Sequence, residues 1–178
     1  YRGRQLPRHE EFYVDGHAGV LHPIELGYTP SPYYTGGGDF ALVDGRIGSL
    51  GFHDGVWQAI QGEDMIATVD LEELMDIDSI YSNFYRYQDA WIFAPISVEF
   101  STSIDGEHYE VISKNDFRQA TLKNDAQDIV AVNSGKLSGV SARYIRMRAI
   151  NSGLCPDWHA AATEPTWLFC DEIVIRAK

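Results

Sequence analysis

Cysteine and methionine are scarce in this chain, and basic residues are too few to balance the acids: two Cys, three Met and 14 Lys plus Arg stand against 26 Asp plus Glu in 178 residues. Each shortage removes a class of protein. The two cysteines, Cys155 and Cys170, exclude a scaffold stapled by several disulfides and leave either one bridge in an oxidising compartment or two free thiols. A formal charge of −12 argues against nucleic acid or an anionic membrane as partner, because both demand clustered Lys and Arg. No apolar run approaches the roughly 18 residues of a membrane span, and no basic segment followed by an apolar one opens the sequence.

Signatures of catalysis are missing as well. There is no GxSxG, no P-loop and no GxGxxG. His9, His17, His22, His53, His108 and His159 include no pair spaced four apart and have no CxxC partner, so a zinc site has no support. Glu63 with Asp64, Glu72 with Glu73, and Asp76 with Asp78 are carboxylate pairs of the kind a glycosidase needs. In a chain with 26 acids such pairs arise by chance, and they read better as solvated loop residues. The sequence therefore points away from an enzyme.

What is present is a folding chain rich in β-formers. Hydrophobic content of 44% and aromatic content of 12% fit one globular domain over residues 10–178. Residues 1–9, with three Arg and one Pro, read as a linker tail following some earlier segment. Met65, Ala67, Val69 and Leu71 alternate with Ile66, Thr68 and Asp70, which is strand periodicity. Residues 12–14, 20–26, 77–87, 97–103, 109–112, 128–132, 143–150 and 168–175 read as further short strands, with Asp105-Gly106 as a hairpin turn. No amphipathic helix separates them, which implies an all-β antiparallel sandwich or jelly roll with little helix. The loop over residues 28–38 carries Tyr28, Tyr33 and Tyr34, expected to cover the end of a core. Functional loops are expected at the ends of the sandwich, in residues 50–61, 84–91 and 151–167.

Two stretches are expected to meet. Phe40-Ala-Leu-Val-Asp-Gly-Arg-Ile-Gly-Ser49 is an apolar run broken by a tight Asp-Gly turn, and Leu168-Phe-Cys-Asp-Glu-Ile-Val-Ile175 is an apolar strand with two carboxylates in its middle. Asp44, Ser49 and Glu172 are oxygen donors that a hard cation could use; the alternative is that Asp44 only caps its turn and Glu172 faces solvent. Sugar binding is the other chemistry open to the chain, since aromatic rings stack on pyranose faces while polar side chains bond the hydroxyls. His53-Asp-Gly-Val-Trp57 and Cys155-Pro-Asp-Trp-His159 have that composition, with Arg86 and Asn83 as a third wall. The candidate ligand residues are His53, Asp54, Arg86, Trp158 and His159.

An ordered set of motifs resembles a known family. Tyr34-Thr-Gly-Gly-Gly38, Ala41-Leu-Val-Asp-Gly45, Trp57-Gln58, Val69-Asp-Leu71, Trp91-Ile-Phe-Ala-Pro95, Ser103-Ile-Asp-Gly106, Ala142-Arg-Tyr-Ile-Arg146, Ala149-Ile-Asn-Ser-Gly153, Pro156-Asp-Trp-His159 and Trp167-Leu-Phe-Cys-Asp-Glu-Ile173 run in the order of the discoidin-like (coagulation factor 5/8 type C) modules. The set is similar in particular to the version at the C-terminus of bacterial family-20 β-N-acetylhexosaminidases, related to family-32 carbohydrate-binding modules. The resemblance implies a galactose-binding-like jelly roll holding one structural calcium or sodium ion. Its implied ligands are the carbonyls of Ala41, Arg46 and Asp171, the carboxylates of Asp44 and Glu172, and Ser49. It further implies a secreted, periplasmic or bacterial cell-surface setting. The implied partners are a glycan of N-acetylhexosamine or galactose type and a neighbouring catalytic domain in the same chain. The rival implication is a spacer that orients that domain and binds no sugar.

Overall fold

The computed structural model describes residues 13–118 and 126–178; the expected tail over residues 1–9 lies outside the described residues. Its strands are β1 (Tyr13–Val14), β2 (Ile24–Leu26), β3 (Arg46–Ile47), β4 (Gln58–Gln61), β5 (Met65–Arg86), β6 (Ser97–Ser103), β7 (Glu110–Asp116), β8 (Asp128–Asn133), β9 (Ser141–Ile150) and β10 (Trp167–Ala177). The one helical element among the described residues is a 3₁₀ turn, Gln88–Ala90. The all-β sandwich read from the sequence is thus the observed fold, and every pairing between named strands is antiparallel.

The two layers share one strand. The first half of β5, through Asp76, pairs with β2 and β9. Its second half pairs with β10 and β8. Strands β6 and β7 extend the first sheet beyond β9, and β4 extends the second beyond β10. The sequence pattern divides this strand into residues 65–71 and 77–87. The physical reason it continues is a local irregularity: the register slips between Asp70 and Met75, and Glu72 takes a left-handed φ of 62°. Asp70 Oδ1 accepts the Glu72 amide at 2.8 Å and holds that kink. Glu72, Glu73 and Leu74 are exposed there, so the chain rounds the edge of the sandwich without leaving extended structure.

Alternation decides the core. Met65, Ala67, Val69 and Leu71 all point inward and are fully buried, as are Ile80 and Phe84 from the second half of the same strand. They meet Val98, Phe100, Ile145, Met147, Leu168 and Ile173 from the other strands. Each such side chain contributes about 1.5–3 kcal/mol by leaving water. A second apolar cluster lies on the outer face of the second sheet, where Trp57, Ala59, Tyr85, Ile92 and Phe169 are covered by Tyr34, Phe52 and Trp167. Of the loop tyrosines expected to cover a core, Tyr28 joins the main core and Tyr34 roofs the outer sheet face. Tyr28 is buried with its hydroxyl on Gln58, whereas Tyr33 is exposed. Cys155 and Cys170 are both buried and unbridged.

The Asp70 carboxylate that holds the β5 kink also accepts Arg143 Nε at 2.7 Å and Nη2 at 2.8 Å. The Arg143 hydrogen bond holds its carboxyl below the ordinary value. A depressed carboxyl contributes stability above its unfolded pKa that is lost as pH falls through the folded one. Asp70→Asn is therefore expected to lower the melting temperature at pH 7, with the difference from wild type shrinking as the solution is acidified below about pH 4. Thermal unfolding across pH checks this; a difference that does not change with pH contradicts it.

Candidate functional site

The two stretches singled out in the sequence do meet. Leu168 and Cys170 face the core, and a β-bulge follows: Cys170 lies opposite Phe84 but Ile173 lies opposite Ser82, so three steps of β10 match two of β5. The bulge turns both Asp171 and Glu172 to the outer side of the second sheet, beneath the chain from Leu42 to Gly48, where both are fully buried. Ile173 N donates to Leu42 O at 2.8 Å. Gly45 N donates to Glu172 Oε2 at 2.8 Å, and Gly48 N to Asp171 Oδ2 at 2.9 Å. Asn83 Nδ2 reaches the same Asp171 oxygen at 3.1 Å. Two buried acids thus staple an otherwise irregular loop to the last strand by its backbone amides.

The electrostatics of this junction are unbalanced. His17 Nδ1 accepts the amides of Gly19 and Ile175, at 3.0 and 3.3 Å, so its proton sits on Nε2 and points at Glu172 Oε1 3.2 Å away. Burial pushes this imidazole down to about 4, which keeps it neutral at ordinary pH. Burial, followed by the charge of Asp44, pushes the Glu172 carboxyl up to about 9. Burial likewise raises Asp171 to about 6. Yet both Glu172 oxygens face donors, so a proton placed there has no acceptor among its partners. Asp171 Oδ1, also buried, has no partner. The donor set leaves negative charge at this junction that a hard cation could balance.

The other implied ligands are placed as follows. Asp44 accepts Arg46 N on Oδ1 at 2.8 Å and Arg46 Nε on Oδ2 at 2.7 Å, and Arg46 Nη2 also reaches Gly36 O at 2.5 Å. Arg46 therefore matches the charge of Asp44 and leaves that of Glu172 unmatched. Ser49 is exposed and its hydroxyl donates to Asp54 Oδ2 at 2.8 Å. Ala41 is buried in the same loop. Among the described residues no three His, Cys, Asp or Glu side chains cluster as metal ligands, so an ion here would depend on main-chain carbonyls as well.

A cleft opens where two loops meet at the end of β5. Tyr87 and Ile92 exchange backbone hydrogen bonds at 3.0 and 3.1 Å around the 3₁₀ turn, and Trp91 takes a left-handed φ of 64° to close it. Across from it, residues 151–166 are tied by Asn151 Oδ1, which accepts Thr166 Oγ1 at 2.6 Å and Gly153 N at 2.7 Å. His159 joins the loops: its Nδ1 accepts Ala161 N at 3.0 Å, so Nε2 donates to Gln88 O at 2.8 Å. Between them lies a cleft lined by Arg86, Gln88, Phe93, Pro95, Leu154 and Pro156, with Arg118 also on its wall. Trp158 stands behind the lining, its ring 6.3 Å from that of Phe93. Arg86 is oriented by Asp128, which accepts Nε at 2.8 Å and also Nη2.

The five ligand residues read from the sequence divide between two places. Arg86 lines this cleft, while Trp158 and His159 stand behind it, one against Phe93 and the other on Gln88 O. His53 lies instead against Phe52, with ring centroids 4.0 Å apart, in a smaller pocket bounded by Tyr34 and Trp57. Asp54 caps the preceding turn, accepting Ser49 N at 2.8 Å and Val56 N at 2.9 Å. Sequence reasoning missed Phe93, Leu154 and Arg118. Phe93 sits inside a motif already quoted, Trp91-Ile-Phe-Ala-Pro95, whereas nothing around Arg118 distinguishes it from other surface arginines.

No protein-family model matches the sequence, and no curated protein matches it. Solved structures do resemble the fold. CBM32-3 from a family 31 glycoside hydrolase of Clostridium perfringens superposes with a TM-score of 0.53 at 14% identity, covering 91% of this chain and 94% of that one. A fucose binding module from Streptococcus pneumoniae gives 0.52 at 13% identity over 91% and 95%. CpGH89CBM32-5 from Clostridium perfringens, solved with GalNAc-β-1,3-galactose, gives 0.51 at 13% identity over 87% and 96%. The fold is therefore the discoidin-like sandwich of these modules.

The junction generates a stability prediction. A Cβ on Gly48 would lie 2.3 Å from the Trp57 indole, whose Nε1 donates to Ser49 O at 3.1 Å. Gly48→Ala is expected to cost about 2 kcal/mol by overpacking, measured by urea unfolding. A cost below about 0.5 kcal/mol contradicts this packing.

Proposed function

We propose that this chain is a non-catalytic carbohydrate-binding module, serving a secreted or surface glycoside hydrolase of the β-hexosaminidase type and taking a galactose- or N-acetylhexosamine-type sugar. The observation that carries the reading is the cleft itself: an apolar floor of Phe93, Pro95 and Pro156 beside the polar groups of Arg86, Gln88 and Ser152. A pyranose offers an apolar face and a polar edge, and such a cleft answers both. The likeness to modules described as binding fucose or GalNAc-β-1,3-galactose supports the same assignment. Leu154, more than half exposed on the rim, gives a clean probe. Leu154→Asp is expected to abolish glycan binding in calorimetry while leaving the melting temperature unchanged, and Trp158→Ala to weaken it about tenfold or more. Silence across a broad glycan panel counts for the rival, a spacer that orients a neighbouring catalytic domain.

A single structural calcium or sodium ion belongs to the same proposal. It would sit at the junction, held by the carboxylates of Asp44 and Glu172, the carbonyls of Ala41, Arg46 and Asp171, and Ser49. It would supply the positive charge that the buried acids lack. The support is the donor pattern around Glu172 and the unpartnered Asp171 Oδ1. Chelation is expected to lower the melting temperature, and Asp44→Ala or Glu172→Ala to remove that response. In chelator the raised Glu172 carboxyl, near 9, makes stability fall as pH rises from about 5 to 9, because the folded state then binds the extra proton. Added calcium flattens that slope; an identical melting curve with and without chelator at every pH contradicts the ion.

A further inference from the structure

The cleft differs from the rest of this surface in charge. The chain carries 26 acids against 14 bases, yet among the described residues no Asp or Glu lines the cleft, while two arginines do. Arg86 is already oriented by Asp128. Arg118 is not held in that way. Of the seven arginines among the described residues, five are held by carboxylates: Arg46 by Asp44, Arg86 by Asp128, Arg143 by Asp70, Arg148 by Asp64 and Arg176 by Asp15. Arg146 donates to Thr68 and lies over the Tyr109 ring, 3.5 Å from its centroid. Arg118 and Arg146 have no acidic partner among the described residues, and Arg118 is the one of the two exposed beside the apolar cleft.

An unpaired guanidinium in a chain of charge −12 has abundant carboxylates to choose from, and this one meets none of those described. A guanidinium presents a planar fork that matches a carboxylate with two parallel hydrogen bonds. Phe93, Pro95 and Leu154 line the same cleft, and apolar walls lower the local dielectric, which strengthens a charge-assisted bond relative to one in open solvent. From this geometry we infer that the cleft selects a carboxylated sugar, a hexuronate-type residue whose ring lies on the apolar floor and whose carboxylate is taken by Arg118. The inference rests on the sugar-binding reading above and names the ligand class of that site.

The test compares galacturonate and galactose disaccharides by calorimetry with the full chain, at low salt and at 0.5 M salt. The uronate is expected to bind about tenfold more tightly at low salt, with the advantage narrowing as salt screens it. Arg118→Ala should erase the preference by bringing uronate affinity down to that for galactose, with the melting temperature unchanged, and Arg118→Lys should restore part of it. Equal affinity for the two sugars, or a preference that survives in Arg118→Ala, overturns the inference and leaves the sugar-binding reading intact. Failure of both sugars to bind, in a protein with a normal melting transition, overturns both.

Discussion

Two carboxylates buried in the last strand hold the rest of this molecule in place. A β-bulge brings Asp171 and Glu172 to the same face, and each accepts a backbone amide from the loop that crosses above them. Without those acceptors, Gly45 and Gly48 would bury unsatisfied donors, each at a cost of about 1–3 kcal/mol. The loop between them carries β3, which pairs with β1, and it ends where Trp57 packs against Gly48 to seal the outer aromatic cluster. Loop, aromatic roof and strand are consequently one cooperative unit. Charged groups can occupy such a place because the backbone around them supplies the hydrogen bonds that water would otherwise give.

That unit and the cleft share a strand but divide the labour. Strand β10 carries the acids in its middle and begins at Trp167, whose amide donates to Trp91 O and whose carbonyl accepts Phe93 N, at 2.8 and 3.2 Å. The loop bearing Phe93 is therefore positioned by the same strand that the acids brace. His159 performs the matching service from the other side, using both ring nitrogens to fix a bend and to hold Gln88 O. It acts through the main chain, so it sets the shape of the cleft.

Much of the fold was legible because alternation is a local signal. Met65 to Leu71, Ser97 to Ser103 and Arg143 to Ile150 each showed it, and each is a strand with the expected face buried. The junction was legible for a different reason: adjacent acids in an apolar strand demand compensation, and the nearest tight turn able to give it was Asp44-Gly45. The continuity of β5 was not legible, since Glu72 and Glu73 look like a break and only the Asp70 contact shows that they form a kink. Nor was the division of the candidate residues. His53 and Trp158 stand in equally aromatic stretches, and only packing sends one to the outer roof and the other to the cleft. Arg118 reaches the same cleft as Phe93 and Leu154 only in the folded chain, and no window of sequence shows that.

The central claim is that a sugar enters the cleft between the two loops at the end of β5. Amide chemical-shift mapping of the folded chain during titration with N-acetylgalactosamine and with galactose tests it most directly, because it reports position as well as binding. The account predicts saturable shifts concentrated at residues 86–96 and 152–158, with the junction at Asp171 and Glu172 undisturbed. Shifts confined to the outer face of the first sheet around Tyr109 and Tyr144, or no shifts with either sugar, would contradict it.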